Sequence, residues 1–537
     1  MLKNTHSVVD ITDLGAEGAG VGRYEDGRVI FVQRSAVGDR VDAHIIKETS
    51  GYLVARIDKL LVSSPDRIEC DCLYFDKGCG GCTFRHISYE AEQRAKLAAV
   101  RSALRAVDDS ILPNSIHTAQ PVAYRNKAAY PVNAELRFGY YAQRSHRVVA
   151  HDKCLLEPEI FSQIAAAFCE LCREYGISGY DEKSGRGVLR HIFMRSNREG
   201  DVLLMAVVNA AKLPHGKELA QAMTERFDCI RGICVNVNQK NTNVITGERT
   251  YMLFGDEYIT ETLLGKHFNV SAGSFFQVNP YACELLYSIV RDMASGAKIL
   301  LDLYCGIGTI GLCAADDSAK LCGVEVVERA VADAKINMSL CGRNDDDTLF
   351  VCGDASVGVS ECTKKFGTPD TIIVDPPRKG LSADVVDDIA KAAPDRLIYV
   401  SCNPFTLGRD LEMLRPLGFA PKRIECVDMF PRTNHVETVC LLSKLNAKQY
   451  IEINLDMDEL DLTDAEKKAT YQEIKDYVLE HSGLKVSSLY IAQVKQQCGI
   501  IERENYNKPK SEDAKQPQCP PDKEKAIKEA LTHFGMI

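Results

Sequence analysis

Between residues 266 and 444, short apolar runs alternate with helix-like stretches, and one of these units reads KILLDLYCGIGTIGL, a strand, a glycine-punctuated turn and the start of a helix. This alternation imposes a parallel sheet with crossover helices, because parallel neighbours can be joined only by a long connection. GIGTIG also matches the dinucleotide fingerprint, so an NAD enzyme is one reading of the loop. Glu325 lies nineteen residues after Gly306, at the end of the next apolar strand, and could hold ribose hydroxyls in either kind of nucleotide cofactor.

The later strands separate the cases. Asp354 follows FVCGD and Asp375 opens the turn of TIIVDPPRKG, so successive strands end on an acid. Acidic strand ends converging on one crevice look like S-adenosylmethionine binding in a methyltransferase sheet. The two prolines after Asp375 make a rigid, carbonyl-lined elbow at that edge. In YVSCNPFTLGRD, Leu397 to Val400 read as a buried strand, which puts Ser401 and Cys402 where the chain leaves the sheet. A cysteine there serves packing or chemistry.

Four segments are expected. Residues 1–62 hold short alternating runs broken by glycine turns, the pattern of a small β-barrel of the kind that often binds nucleic acid. Arg23, Arg34 and Arg40 fit RNA contact or a structural cap equally. Residues 63–265 form a mixed central region, 266–444 the nucleotide-binding sheet, and 445–537 an appended helical extension whose TDAE is a possible capping box. A net charge of -10 argues against a chain that coats nucleic acid indiscriminately. With neither a leader pattern nor a run of some 18 apolar residues, a cytoplasmic protein without a membrane span is expected. In a reducing compartment the 21 cysteines are not a disulfide framework, and most are small core residues.

CDCLYFDKGCGGC is different, with Cys70, Cys72, Cys79 and Cys82 inside thirteen residues and two glycines between the last pair. Thiolate-only ligation fits zinc or an iron–sulfur cluster; the spacing is not that of a paired zinc ribbon, and it leaves open which of Cys70 and Cys72 binds. A distant fourth ligand would account for Cys154 in SHRVVAHDKCLLE.

FFQVN, DLYCGIGT, GVE, DPPRKGL, SCNP and DMFPRTNHVETV, in that order, closely resemble the RNA uracil-5-methyltransferase family. CGGCTFRH, YRNK and SHRVVAHDKC resemble its 23S ribosomal RNA branch, with an N-terminal barrel similar to a TRAM domain. The resemblance implies a multidomain α/β fold in which residues 91–124 pack with the methyltransferase domain. It implies Cys402 as nucleophile and Glu437 as general base. Gln277, Tyr304, Thr309, Glu325, Asp354 and Asp375 would line the S-adenosylmethionine site. Cys72, Cys79, Cys82 and Cys154 would hold a [4Fe-4S] cluster, although the Cys72–Cys79 interval is one residue longer than is usual in the family, which keeps Cys70 in play. Phe84, Arg85, His86, Tyr124, Arg125, Asn126 and Lys127 are candidate RNA contacts. Ribosomal RNA is the expected partner, with no membrane, no DNA and a monomeric chain. Competing readings are a transfer RNA uracil-5-methyltransferase, a cytosine-5 enzyme, a radical S-adenosylmethionine enzyme and a non-catalytic iron–sulfur RNA-binding protein.

Overall fold

The computed structural model describes residues 2–444, 471–498, 519–534 and 536. Two compact units form, Met1–Asn446 and Ala447–Ile537. In the second, helices Tyr471–Ser482, Ser488–Gln497 and Pro521–His533 close over a small core of Ile474, Val478, Ile491, Val494, Ile527 and Leu531. The TDAE capping box lies outside the described residues. No described helix is long and apolar enough to cross a membrane.

The first unit begins with a six-stranded sheet that curls until His6–Asp10 lies against Gly20–Arg23. Alternate residues point inward, and Val9, Ile30, Val32, Val41, Ile45 and Leu53 fill the interior. A five-stranded central sheet follows, in which Leu189–Ser196 and Val202–Val208 are buried along their whole length. Both faces of that pair are covered, which is why these strands read as continuous rather than alternating apolar runs.

The seven strands of the third sheet are numbered here β1 (Ile299–Leu303), β2 (Lys320–Glu325), β3 (Thr348–Cys352), β4 (Thr371–Val374), β5 (Arg396–Ser401), β6 (Phe419–Val427) and β7 (Glu437–Lys444). Their spatial order is β3-β2-β1-β4-β5-β7-β6, parallel except for β7, which runs antiparallel to both its neighbours. The order reverses between β1 and β4, and a crevice at the carboxyl ends of these strands is where such a sheet takes its ligand.

Helix Tyr89–Ala103 belongs in sequence to the region before the central sheet, yet its Val100 shares one core with Leu104, Leu112, Ile372, Leu397 and Leu407. Farther along the same stretch, His117 bridges to Val427 at the end of β6. Thus the segment after the cysteine-rich loop packs against the nucleotide-binding sheet.

Candidate active site

The sheet register brings the chemistry to one edge. Leu303 pairs with Val374 and Val374 with Tyr399, so Tyr304, Asp375 and the end of β5 leave the sheet side by side. Ser401 pairs with Thr438 across the antiparallel β5–β7 ladder, which makes Cys402 and Glu437 neighbours at the mouth. Cys402 is half-buried. Asn403 then caps helix Pro404–Leu414, its side chain accepting from the Phe405 N–H at 3.1 Å, with Pro404 at the first helical position. Ser401 Oγ donates to the Asn403 carbonyl at 3.0 Å, and Asn403 Nδ2 donates to the Arg378 carbonyl at 3.3 Å. The Ser-Cys-Asn-Pro run is therefore a strand end, a half-buried thiol and a helix cap tied to the Asp-Pro-Pro elbow.

The electrostatics are those of acids and a thiol withdrawn from solvent. Burial raises the Glu437 carboxyl to about 8, with Asp375 adding to the rise and Arg378 opposing it. Burial alone raises Asp375 to about 7. The Cys402 thiol is pushed up to about 11 by burial and by the charges of Glu437 and Asp375, again opposed by Arg378. Arg378 lies 3.1 Å from His435 Nε2, and His435, driven down to about 4 by burial and by Arg378, is neutral and accepts that hydrogen bond. Sequence reasoning did not single out Arg378 or His435; both sit inside motifs it did read, DPPRKG and HVETV, and a cation directly after the acidic elbow was the available signal.

The glycine loop turns as its composition requires. Gly306 and Gly308 have φ of 55° and 84°. A Cβ on Gly306 would meet nothing within 4 Å, so this turn faces open space into which a ligand can approach the backbone. Glu325 accepts from the Gly306 N–H at 3.2 Å and the Val327 N–H at 2.9 Å. Asp354 caps helix Ala355–Phe366 through the Val357 N–H and also accepts from Ser356 Oγ, which holds its carboxyl below the usual range. Tyr304 takes a φ of 66°, rare for a residue with a side chain. Thr309 is buried, with its hydroxyl 2.9 Å from that of Tyr287, so its side chain faces the core. Gln277 is buried on the segment before helix Pro280–Ala294, where its carbonyl accepts from Asn126 Nδ2 at 3.3 Å. Asp302 in β1, missed by sequence reasoning, accepts from the Gly311 N–H at 2.9 Å, while its Oδ1 is buried without a partner; burial raises its carboxyl to about 8. Open space at Gly306, an orphaned oxygen on Asp302 and acids at three strand ends fit a nucleoside with a charged amino-acid tail.

Cys72, Cys79, Cys82 and Cys154 line one small pocket with Phe75, Tyr140, His151 and Leu156. Cys70 is not among the lining residues and donates instead to the Cys72 carbonyl. Gly80 is obligatory here, because a Cβ would sit 2.7 Å from the Tyr141 carbonyl against which the loop packs. A ZnS4 tetrahedron with bonds of about 2.3 Å holds its sulfurs about 3.8 Å apart. Among the described residues, the one set of three candidate ligand atoms mutually within 4.8 Å is His6, His44 and Asp58, so the thiols as placed do not outline that tetrahedron. His6 and His44 stack with their ring centroids 5.0 Å apart.

The structure corrects most of the expected RNA contacts. Phe84, Arg85, His86, Tyr124 and Asn126 are buried, and Arg125 and Lys127 are partly so. Arg85 donates to Cys82 Sγ at 3.3 Å and to Asp71 at 2.7 Å; Tyr124 donates to the Pro431 carbonyl at 2.9 Å. These side chains join the cysteine pocket to the loop before Glu437. An open cleft between the N-terminal sheet and that loop is lined instead by Gln33, Arg34, Tyr141, Arg144, His146 and Asn434.

Residues 362–445 match the tRNA (uracil-5-)-methyltransferase family model, and residues 7–57 match the TRAM domain. An uncharacterized RNA methyltransferase of Halalkalibacterium halodurans is 38% identical over 455 residues, spanning 82% of this chain and 98% of that protein. One of Clostridium acetobutylicum is 36% identical over 455 residues, spanning 83% and 98%. The tRNA (uracil-54, C5)-methyltransferase of Pyrococcus abyssi, solved with S-adenosyl-L-homocysteine, matches with a TM-score of 0.66 at 27% identity, covering 82% of this chain and all of that one. These likenesses are to methyltransferases, the class of enzyme that the acidic strand ends suggested.

Proposed function

This chain belongs to the RNA uracil-5-methyltransferase family, and from that premise we propose that it methylates carbon 5 of a uridine in 23S ribosomal RNA through a covalent bond from Cys402 to carbon 6. The observation that carries the mechanism is the meeting of Cys402, Glu437 and Asp375 at the mouth of one nucleotide-binding sheet.

Carbon 5 of uracil is a poor nucleophile, and S-adenosylmethionine, when bound, supplies an electrophilic methyl group. With a thiol near 11, roughly one Cys402 in ten thousand is ionised at pH 7, so the proton must leave as the sulfur attacks. Asp375, which faces that thiol, takes the proton and so leaves Glu437 ionised for the later step, and the Arg378 charge favours the developing anion. Addition of the sulfur to carbon 6 makes the ring an enolate whose carbon 5 takes the methyl group. Glu437 then removes the carbon 5 proton, the ring double bond re-forms, and the bond from sulfur to carbon 6 breaks. Burial suits Glu437 to this role, since it raises the affinity of the carboxylate for the proton it must collect. The base must leave its stack to reach the mouth, at a cost of a few kcal/mol, which favours a looped target. The cleft beside Arg34 and Arg144 is suited to the flanking strand.

For the cysteine pocket we propose a [4Fe-4S] cluster on Cys72, Cys79, Cys82 and Cys154, supported by their common pocket and their thiolate-only ligand set. Methyl transfer needs no electron, so the cluster's part is structural.

Ribosomal RNA as substrate is supported by the likeness of CGGCTFRH, YRNK and SHRVVAHDKC to the ribosomal RNA branch. Transfer RNA is the second reading, favoured by the likeness to the Pyrococcus abyssi enzyme. Nucleoside mass spectrometry of both RNAs, from gene-deleted cells carrying wild-type or Cys402→Ala protein, tests the proposal. A 5-methyluridine in 23S RNA that returns only with the wild type is expected. Its return in transfer RNA instead would move the substrate, and its return with Cys402→Ala would overturn the covalent route.

A further inference from the structure

Lys96, Glu92 and Asp428 carry fully buried, charged side chains. The Lys96 ammonium donates to Glu92 Oε1 at 2.7 Å, Asp428 Oδ1 at 2.8 Å and the Phe430 carbonyl at 3.2 Å, so each of its three protons has an acceptor. Glu92 Oε1 also accepts the Arg432 N–H at 2.7 Å, and the Arg432 guanidinium lies 3.8 Å from Glu92 Oε2. Asp428 accepts from Tyr89 at 2.9 Å and from the Phe430 N–H at 3.2 Å. Two cations face two anions, which leaves the cluster neutral.

Helix Tyr89–Ala103 gains little for itself from this arrangement, because an i, i+4 pair stabilises a helix as well in water. Burial of such charges costs desolvation, and its best-attested return is a unique register. Here every partner off the helix lies in Asp428–Arg432, the run that leads from β6 into Glu437. The opposite side of that run is held too. The Arg432 carbonyl accepts the Thr83 and Phe84 N–H groups at 2.7 and 3.1 Å, immediately after Cys82, while Arg432 itself adopts a φ of 69°. Asn434 lies 3.2 Å from Thr83 Oγ1 and donates to the Ala16 carbonyl at 3.0 Å.

We propose that the buried Lys96–Glu92–Asp428–Arg432 cluster is a positioning device that sets the Met429–Val436 run so that Glu437 reaches the carbon 5 proton; this rests on the reading of Glu437 as the base. The cluster acts on the second half of the reaction. Sulfur attack and methyl transfer use Cys402 just after β5, which the cluster does not touch, whereas proton removal and release of the sulfur need Glu437 in place.

Single-turnover reactions of Lys96→Met and Asp428→Asn enzymes with methyl-labelled S-adenosylmethionine and substrate RNA test this. Labelling of RNA is expected to stay within about threefold of wild type, while release of free product slows by about a hundredfold, the cost of a displacement of about 1 Å. A denaturant-stable protein–RNA adduct carrying the label should accumulate. Glu437→Gln is the reference and should trap the same adduct. If it does not, the reading of Glu437 falls and the inference with it. If Glu437→Gln traps the adduct but folded Lys96→Met and Asp428→Asn enzymes turn over normally, or slow both steps equally without adduct, the positioning role alone is refuted. Should neither variant fold, Tyr89→Phe, which removes one hydrogen bond to Asp428, carries the same test with a smaller accumulation expected.

Discussion

The protonation of Glu437 offers a direct test of its role as base. Burial and Asp375 raise its carboxyl to about 8 against the pull of Arg378. A base works only when ionised, and an acid near 8 is about 1% ionised at pH 6, about 9% at pH 7 and about 90% at pH 9. Breakdown of the methylated adduct should therefore accelerate nearly tenfold from pH 6 to 7, level off above 8, and rise about ninetyfold in all between pH 6 and 9. The adduct is formed at pH 6 with labelled methyl donor, the pH is jumped, and free labelled RNA is followed by quenched flow. Following breakdown separates Glu437 from the ionisation of Cys402, which governs attack alone. In Arg378→Met the cation that favours the carboxylate is gone, so the rising limb should move to higher pH. A breakdown rate flat from pH 6 to 9, or a limb that moves to lower pH in Arg378→Met, would refute the assignment.

Three further predictions follow from other parts of the chain. Cys72→Ser should abolish the visible absorbance of the proposed iron–sulfur cluster and lower the melting temperature, whereas Cys70→Ser, whose sulfur lies outside the pocket lining, should retain both; the reverse result would put Cys70 in the place of Cys72 as ligand. Buried Asp302, Asp375 and Glu437 hold protons up to about 8, 7 and 8 that the unfolded chain has already released. Folding stability of the ligand-free protein should thus fall as pH rises from 6.5 to 7.5, by about 1.4 kcal/mol per unit for each carboxyl still protonated in the folded state. The buried histidines His86, His151, His191 and His435, all near 4, still oppose the trend at 6.5, where the unfolded imidazole is half protonated, and fade by about 7.5, while Lys127, lowered to about 7 by burial, opposes it increasingly across the window; Glu157 and Glu261, raised by burial to about 7, add to the trend and keep its sign. Urea melts that show stability rising across that window would contradict the pocket's acidity. Gly308→Ala places a Cβ 2.8 Å from Phe350 Cζ at a φ of 84° and should cost about 1–2 kcal/mol in backbone conformation alone. Calorimetry should then find weaker S-adenosylhomocysteine binding, and unchanged affinity would count against the loop as its cradle.

Local chemistry made part of this legible. Each of DLYCGIGT, DPPRKG and SCNP is a chain reversal at a strand end, and a turn or cap is specified by residues within a few positions of itself. Asn403 as a helix cap and the glycines at 306 and 308 follow from that alone. The misjudged residues share another trait. Tyr124 and Asn126 looked like RNA contacts because they are polar or aromatic in a polar setting, but their partners are Pro431 and Gln277, more than 100 positions away. Asp354 keeps its place at a strand end, yet its Oδ1 is committed to a helix cap. Lys96 carried no signal at all, since only the fold supplies Asp428.

Strand alternation, the turn at GIGTIG and the acid at each strand end were written in neighbouring residues, because backbone conformation and hydrophobic period act over short stretches of chain. Only the tertiary structure decided which thiols share a pocket, which charges are buried together and which carboxyls stay protonated. Those outcomes depend on distance and on exclusion of water, and both are set by segments that approach through space rather than along the sequence.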